Sequence, residues 1–190
     1  MDDPEIISCA DAGEWDRWLA EHGETRSAAW LTIPKKGSGV AGMTAAEAGD
    51  VAICHGWIDG QRRRLDETHF LQRYSPRRPG SPWSRVNVER VAALEAAGRM
   101  RPAGRAQVAA AKEDGRWAAA YAPQRTADVP DDLAAALADN DRARAAYQAL
   151  RRSERYALFL PLLKARTPAG RARALERAVA TLEAAGGADG

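Results

Sequence analysis

The segment from Ser75 to Pro82 is the feature that most constrains how this chain folds. It contains three prolines, and each proline fixes its own backbone dihedral and restricts the residue before it. The segment must therefore run as an extended loop. Short β-rich runs precede it, whereas the alanine-rich sequence after Trp83 repeats its apolar residues with helical spacing. We expect a mixed first half and a helical second half.

The first half contains three runs that favour regular structure. Ala29–Ile33 is β-rich and ends at a proline, which predicts a strand. Thr44 and Glu47 have the spacing of a capping box, which predicts a helix ending near Cys54. Between Ile58 and Tyr74, apolar residues alternate with arginines around a polar turn, which predicts a β-hairpin. The hairpin and the first strand could form a three-stranded sheet.

These patterns predict an α+β protein, predominantly helical, with a small antiparallel β-sheet in the N-terminal half packed on a helical bundle. The length of 190 residues is typical of one domain. We expect residues 1–128 to form an α+β region that carries the sheet and the basic loops. Residues 129–186 should form a C-terminal helical region in the same compact domain, and residues 187–190 a disordered tail.

Composition excludes several classes of protein. The formal net charge of +2 indicates no strong preference for nucleic acid, and there is no apolar run of about 20 residues that could span a membrane. The acidic N-terminus lacks an apolar signal region, so we expect a cytoplasmic protein. The two cysteines do not suggest a disulfide framework. Because no CxxC or HxxxH pair occurs, we expect no metal and no cofactor.

The segment Cys54–Gly60 concentrates the residue types that carry out chemistry. It places a thiol, Cys54, an imidazole, His55, and a carboxylate, Asp59, within six residues. Cys54 is a candidate nucleophile, with His55 or Asp59 as general acid or base. However, the negative end of the preceding helix disfavours a thiolate, and the neighbouring arginines favour ion pairing by Asp59. Whether the protein is an enzyme therefore stays open.

Basic side chains offer a second candidate site. They are concentrated between Lys35 and Arg85, where few carboxylates oppose them. Arginine suits the bidentate recognition of carboxylate or phosphate, and an indole can stack on a ring or cation. The alternative is a solvated basic face with two core tryptophans. The predicted ligand-binding residues are Lys35, Lys36, Trp57, Asp59, Arg77, Arg78, Trp83 and Ser84.

Several sequence blocks together resemble a known family. They are WDRWLAEHG at Trp15, WLTIPKKGSG at Trp30, AICHGWIDG at Ala52, QRYSPRRPGSPWSRVN at Gln72, GRMRPAGRAQVAAAKEDGRW at Gly98 and VPDDLAAAL at Val129. Their order and spacing resemble the YdeI/OmpD-associated family, also labelled bacteriocin-protection proteins, over nearly the whole chain. The helices from Val129 onward resemble the domain that defines that family. The resemblance implies a soluble bacterial protein linked to tolerance of antimicrobial peptides or other stress, and it implies no settled reaction or cofactor.

Three hypotheses about function follow. The first is a stress- or antimicrobial-resistance protein that binds a small anionic or aromatic ligand, or an antimicrobial molecule, in a basic, tryptophan-lined pocket. The second is a cofactor-independent enzyme that acts on a small metabolite through Asp59 or His55. The third is a nucleic-acid or protein adaptor that uses the basic face, although the near-neutral charge makes nucleic acid the weaker partner. None of them involves a membrane, and none fixes the oligomeric state.

Overall fold

The computed structural model describes residues 5–185, which contain eight helices and four strands. The strands are β1 (Ile6–Ile7), β2 (Ala29–Pro34), β3 (Trp57–Arg64) and β4 (His69–Pro76). The helices are α1 (Ala12–His22), α2 (Ala45–Cys54), α3 (Arg85–Ala96), α4 (Pro102–Glu113), α5 (Asp131–Ala138), α6 (Asp141–Ala149), α7 (Arg152–Lys164) and α8 (Pro168–Ala185).

The four strands form one mixed sheet in the order β1-β2-β4-β3. Strands β3 and β4 are the predicted hairpin, and β2 pairs antiparallel with β4. The pairing of β3 with β4 shifts register between Asp59 and Arg62. Strand β1 pairs in parallel with β2, so the sheet is not purely antiparallel as predicted. A strand of two residues is too short to produce an alternating sequence pattern.

Helix α2 lies at the centre of the packing because both of its faces are buried. One face joins α1 and the sheet in an apolar cluster that includes Trp15, Leu31 and Tyr74. The other face, through Ile53 and Cys54, joins α3 and α4 in a second cluster. The predicted capping box begins this helix: the Thr44 side chain accepts from the amide of Glu47, and the Glu47 carboxylate accepts from the amide of Thr44.

The contacts between residues divide the chain into two compact units. The first contains the described residues up to Trp83 together with Asn87–Ala120, and the second contains Ser84–Val86 together with the described residues from Tyr121 onward. The second unit has its own apolar core, with Leu133, Phe159 and Leu162 among its most buried members. Within it, Arg171 donates two hydrogen bonds to the carboxylate of Asp132, at 2.7 and 2.8 Å.

The prediction of an α+β fold that is predominantly helical is confirmed. The division at residue 129 and the assignment of both regions to one domain stay predictions. The expected disordered tail, residues 187–190, lies outside the described residues. Among the helices of residues 5–185, none combines the length and the apolar character needed to cross a membrane.

Candidate functional site

The turn before β3 and the proline-rich loop meet, as the sequence predicted. The amide of Arg77 donates to the carbonyl oxygen of Gly56 at 3.0 Å, and Trp57 lies opposite Pro76 in the sheet. Their large side chains, however, point into the protein: Trp57 and Trp83 are each 2% exposed, and Arg77 is 4% exposed. The meeting point is therefore packed rather than hollow.

The two tryptophans belong to separate parts of the core. Trp57 packs edge-on against Trp15 at 6.4 Å between ring centroids, and its indole nitrogen donates to the carbonyl oxygen of Gly23. The Arg77 guanidinium lies 3.6 Å from the ring centroid of Trp83 and donates to the carbonyl oxygen of Pro82. Neither indole offers an accessible face. Trp57, Arg77 and Trp83 do not line the concavities described below, and ligand binding through them stays a prediction.

The other predicted ligand-binding residues of this region are Asp59, Arg78 and Ser84. Asp59 is exposed on β3 and lies opposite Tyr74. The burial of Tyr74, together with the charge of Asp59, raises the pKa of the tyrosine. Arg78 is exposed, and its backbone amide donates to the hydroxyl of Ser81. Ser84 pairs through its backbone with Tyr121 in the second unit. Ligand binding through Asp59, Arg78 and Ser84 stays a prediction, and none of the three lines the concavity described next.

Lys35 and Lys36 do line a concavity, of about 530 Å³, together with Arg62, Phe70 and the first turn of α2. We call it the basic concavity. An adjoining hollow on the sheet edge, also lined by both lysines, adds Arg63 and Arg64. The concavity results from a loop, residues 35–44, whose Gly37 and Gly39 adopt positive φ angles of 84° and 76°, a conformation that glycine adopts without strain.

His55 takes part in a cluster that the sequence did not reveal. Its Nε2 atom lies 2.8 Å from Oδ1 of Asp16 in α1, and Arg101, before α4, donates to Oδ2 of the same carboxylate at 2.5 Å. Burial raises the pKa of Asp16, but the hydrogen bonds from His55 and Arg101 outweigh it, so its pKa lies below the ordinary value. Asp16 is therefore ionised at neutral pH.

Two cavities lie beside this cluster. One, of about 310 Å³, is lined by His55, Arg101 and residues of α1 and α4; we call it the histidine cavity. The other, of about 360 Å³, is lined by Asp16, Cys54, Arg99 and Arg101, among others. Burial raises the pKa of Cys54, so its thiol stays protonated at neutral pH and is a poor nucleophile. Acid–base chemistry by His55 or Asp59 stays a prediction.

Within residues 5–185, no group of three or more His, Cys, Asp or Glu side chains could hold a metal ion. Both cysteines are free thiols, Cys9 partly exposed and Cys54 buried.

Comparison with known families divides the chain in two. A family model described as Domain of unknown function (DUF8412) matches residues 7–107, more than half of the chain. The chain belongs to this family. A second family model, described as Bacteriocin-protection, YdeI or OmpD-Associated, matches residues 126–185. The resemblance to that family is thus confirmed for the C-terminal helices, whereas the earlier landmarks lie in the DUF8412 match, except that the block beginning at Gly98 extends past its end. Searches of curated proteins and of solved structures found no match.

Both candidate sites, the basic concavity and the histidine cluster, lie in the DUF8412 part of the chain. Sequence reasoning missed Asp16 and Arg101, which are 39 and 46 residues from His55 in sequence. Asp16 looks like an ordinary polar position on an amphipathic helix. No local pattern shows that such distant side chains meet.

Proposed function

We propose that the first unit of this protein binds a small anionic molecule in the basic concavity, and that this binding serves a bacteriocin-protection type of role. The observation that carries the proposal is the convergence of three cationic side chains without a carboxylate partner. The match of residues 126–185 to the bacteriocin-protection family supports the biological role.

The positive charge of the basic concavity comes from Lys35, Lys36 and Arg62. The ammonium group of Lys35 donates to the carbonyl oxygens of Asp66 and Glu67, at 2.6 and 3.2 Å. The guanidinium of Arg62 donates to the side-chain oxygen of Gln72 at 3.1 Å. Lys36 is exposed. In the described part of the chain, none of these three cations has a carboxylate oxygen within 4.0 Å, so their positive charge is not neutralised.

The first turn of α2 brings backbone hydrogen-bond donors to the basic concavity. The capping box of α2 satisfies the amides of Thr44 and Glu47. The amides of Ala45 and Ala46, two residues that line the concavity, have no hydrogen-bond partner within residues 5–185. The start of a helix carries partial positive charge and favours an anion. Backbone donors and side-chain cations therefore line the same hollow.

Two contacts orient the side chain of Arg62. Its guanidinium carbon lies 4.1 Å from the ring centroid of Phe70, and its Nε atom is bound by Gln72. The stack and the hydrogen bond restrain a side chain that would otherwise lose rotamer entropy on binding. An arginine held in this way is suited to bind a carboxylate or phosphate at little further entropic cost.

Isothermal titration calorimetry with pyrophosphate and with citrate tests the proposal. Both probes carry several negative charges and fit a concavity of about 530 Å³. The double variant Lys36→Gln/Arg62→Gln should weaken binding by at least roughly 10- to 100-fold, since even one hydrogen bond to a charged group contributes about 1.5–3 kcal/mol. Arg142→Gln is the matched control, because Arg142 is an exposed arginine in the second unit.

Equal affinity of wild type and the double variant would reject the basic concavity as the site. An oligonucleotide that binds more tightly than either probe, with an affinity that falls steeply as salt is added, would favour the adaptor hypothesis instead. The biological role has its own assay: survival of a bacteriocin-treated bacterial strain that expresses the wild type or the double variant. Equal survival of cells with and without the protein would count against that role.

A further inference from the structure

The histidine cavity is lined by His55, a side chain with one ring nitrogen that has no partner in the part of the chain that the structure describes. The side chain of His55 is 9% exposed, and its Nε2 atom is bound to Asp16. Its Nδ1 atom makes no hydrogen bond within residues 5–185. This nitrogen is therefore unpaired among the described residues, and His55 lines the cavity.

The bond to Asp16 determines what this free nitrogen can do. An ionised carboxylate only accepts hydrogen bonds, so Nε2 must carry a proton. In neutral His55, Nδ1 is then an acceptor and disfavours an approaching anion. In protonated His55, Nδ1 becomes a charged donor and attracts one. The Asp16–His55 bond thus fixes the imidazole so that protonation switches the character of its free side.

The rest of the lining fits an anion with an apolar tail. Arg101 donates one N–H group to Asp16, and its side chain remains 52% exposed. Helix α4 begins beside it without a side-chain cap, and the amide of Ala103 has no hydrogen-bond partner in the described part of the chain. Leu19, Ala20 and Pro102 supply apolar surface to the same cavity. Among the lining residues, Glu24 carries the only negative charge.

We propose that the histidine cavity is a second ligand site, separate from the basic concavity, and that it binds a short aliphatic carboxylate. The carboxylate head lies between Nδ1 of protonated His55, the Arg101 guanidinium and the first turn of α4. The aliphatic tail lies on Leu19, Ala20 and Pro102. Binding strengthens as the pH falls and His55 gains its second proton. The charged groups around this imidazole are Asp16, Arg101 and Glu24.

Hexanoate is the probe, and hexanamide is its uncharged counterpart of nearly the same shape. The chain has three histidines, so ring signals of histidine-labelled protein can be assigned with His55→Phe and His69→Phe. Hexanoate should shift the His55 signals, raise the pH midpoint of their titration and leave His69 unchanged. Hexanamide should do none of this. A tenfold preference of hexanoate for protonated His55 raises that midpoint by about one pH unit at saturation.

Calorimetry with variants gives an independent measurement. His55→Phe and Arg101→Gln should each weaken hexanoate binding roughly tenfold or more. Glu24→Gln should tighten binding, because it removes the opposing charge, and His69→Phe should leave affinity unchanged. Circular dichroism before titration verifies that each variant is folded.

Two results would overturn the proposal. The first is that adding hexanoate does not shift the ring signals of His55 in the wild-type protein. This result does not depend on any variant. The second is that the affinity for hexanoate does not change over the pH range in which His55 gains its second proton. Neither result bears on the pyrophosphate and citrate experiment, which concerns different residues.

Discussion

The close contact between α4 and the end of α2 gives the most quantitative prediction. A Cβ atom added to Gly104 would lie 2.2 Å from the carbonyl oxygen of Cys54 and 2.8 Å from that of Ile53. Both neighbours are backbone atoms, so no side-chain rotation can relieve the overlap. Gly104→Ala must therefore move α4 away from α2 by about 1 Å to restore an ordinary contact.

The expected cost combines three contributions. Overpacking in a core costs about 1–3 kcal/mol. Moving α4 also strains the hydrogen bond from the amide of Arg101 to the carbonyl oxygen of Cys54, at 3.1 Å, which is worth about 1 kcal/mol. Alanine's higher helix propensity returns about 1 kcal/mol. Gly104→Ala should thus reduce the free energy of unfolding of the first unit by about 1–3 kcal/mol.

Urea unfolding followed by tryptophan fluorescence measures this, since all six tryptophans precede residue 121 and lie in the first unit. Gly49→Ala is the matched control: it is also a buried helical glycine, but the atoms nearest to a Cβ there belong to the Arg90 guanidinium, at 3.1 Å and beyond. A shift of a few tenths of an ångström by this side chain, which is bound to Asp50 and to the carbonyl oxygen of Ala46, removes that overlap, so Gly49→Ala should change stability by less than about 1 kcal/mol. A Gly104→Ala protein as stable as the wild type would refute the close approach of α4 to α2.

Three further outcomes are expected. Cys54 should react with a thiol reagent at pH 7 at least about tenfold more slowly in the native than in the unfolded protein, because burial raises its pKa; the Cys54→Ala variant separates its signal from that of Cys9. The stabilisation contributed by ionised Asp16 should be complete above its ordinary pKa of 3.8 and should disappear as the pH falls through its lower folded-state pKa. The measurement is the free energy of unfolding as a function of acid pH. Over the range in which Asp16 gains a proton, the Asp16→Asn variant should lose less stability than the wild type. Identical dependence on pH in the two proteins would contradict this. Thr44→Ala should cost about 1 kcal/mol by removing the helix cap of α2, measured by urea unfolding, with Thr181→Ala as an exposed helical control.

The sequence predicted those elements whose cause is local. The capping box at Thr44, the hairpin of β3 and β4, and the helical spacing after Trp83 each depend on residues a few positions apart, and each is present. Strand β1 was missed because its two residues are held by pairing with β2 rather than by their own pattern.

The site was harder to predict because side-chain direction decides it. The sequence located the meeting of the turn before β3 with the proline-rich loop, but it did not show that Trp57 and Trp83 face inward. Lys35 and Lys36 were identified as basic, whereas Arg62 and Phe70 became their neighbours only through the sheet register. The partnership of His55 with Asp16 depends on the packing of α1 against α2, which no short motif encodes.

The short stretch Ser84–Val86 has an evolutionary consequence. It groups with the second unit, and the backbone of Ser84 pairs with Tyr121 there, although the chain on both sides of it belongs to the first unit. If the C-terminal helices were transferred to another protein as one continuous segment, Ser84 would stay with the donor and its pairing with Tyr121 would be lost. A C-terminal module joined at residue 121 would leave out residues 84–86, which lie inside the stretch matched by DUF8412 and yet group with the second unit.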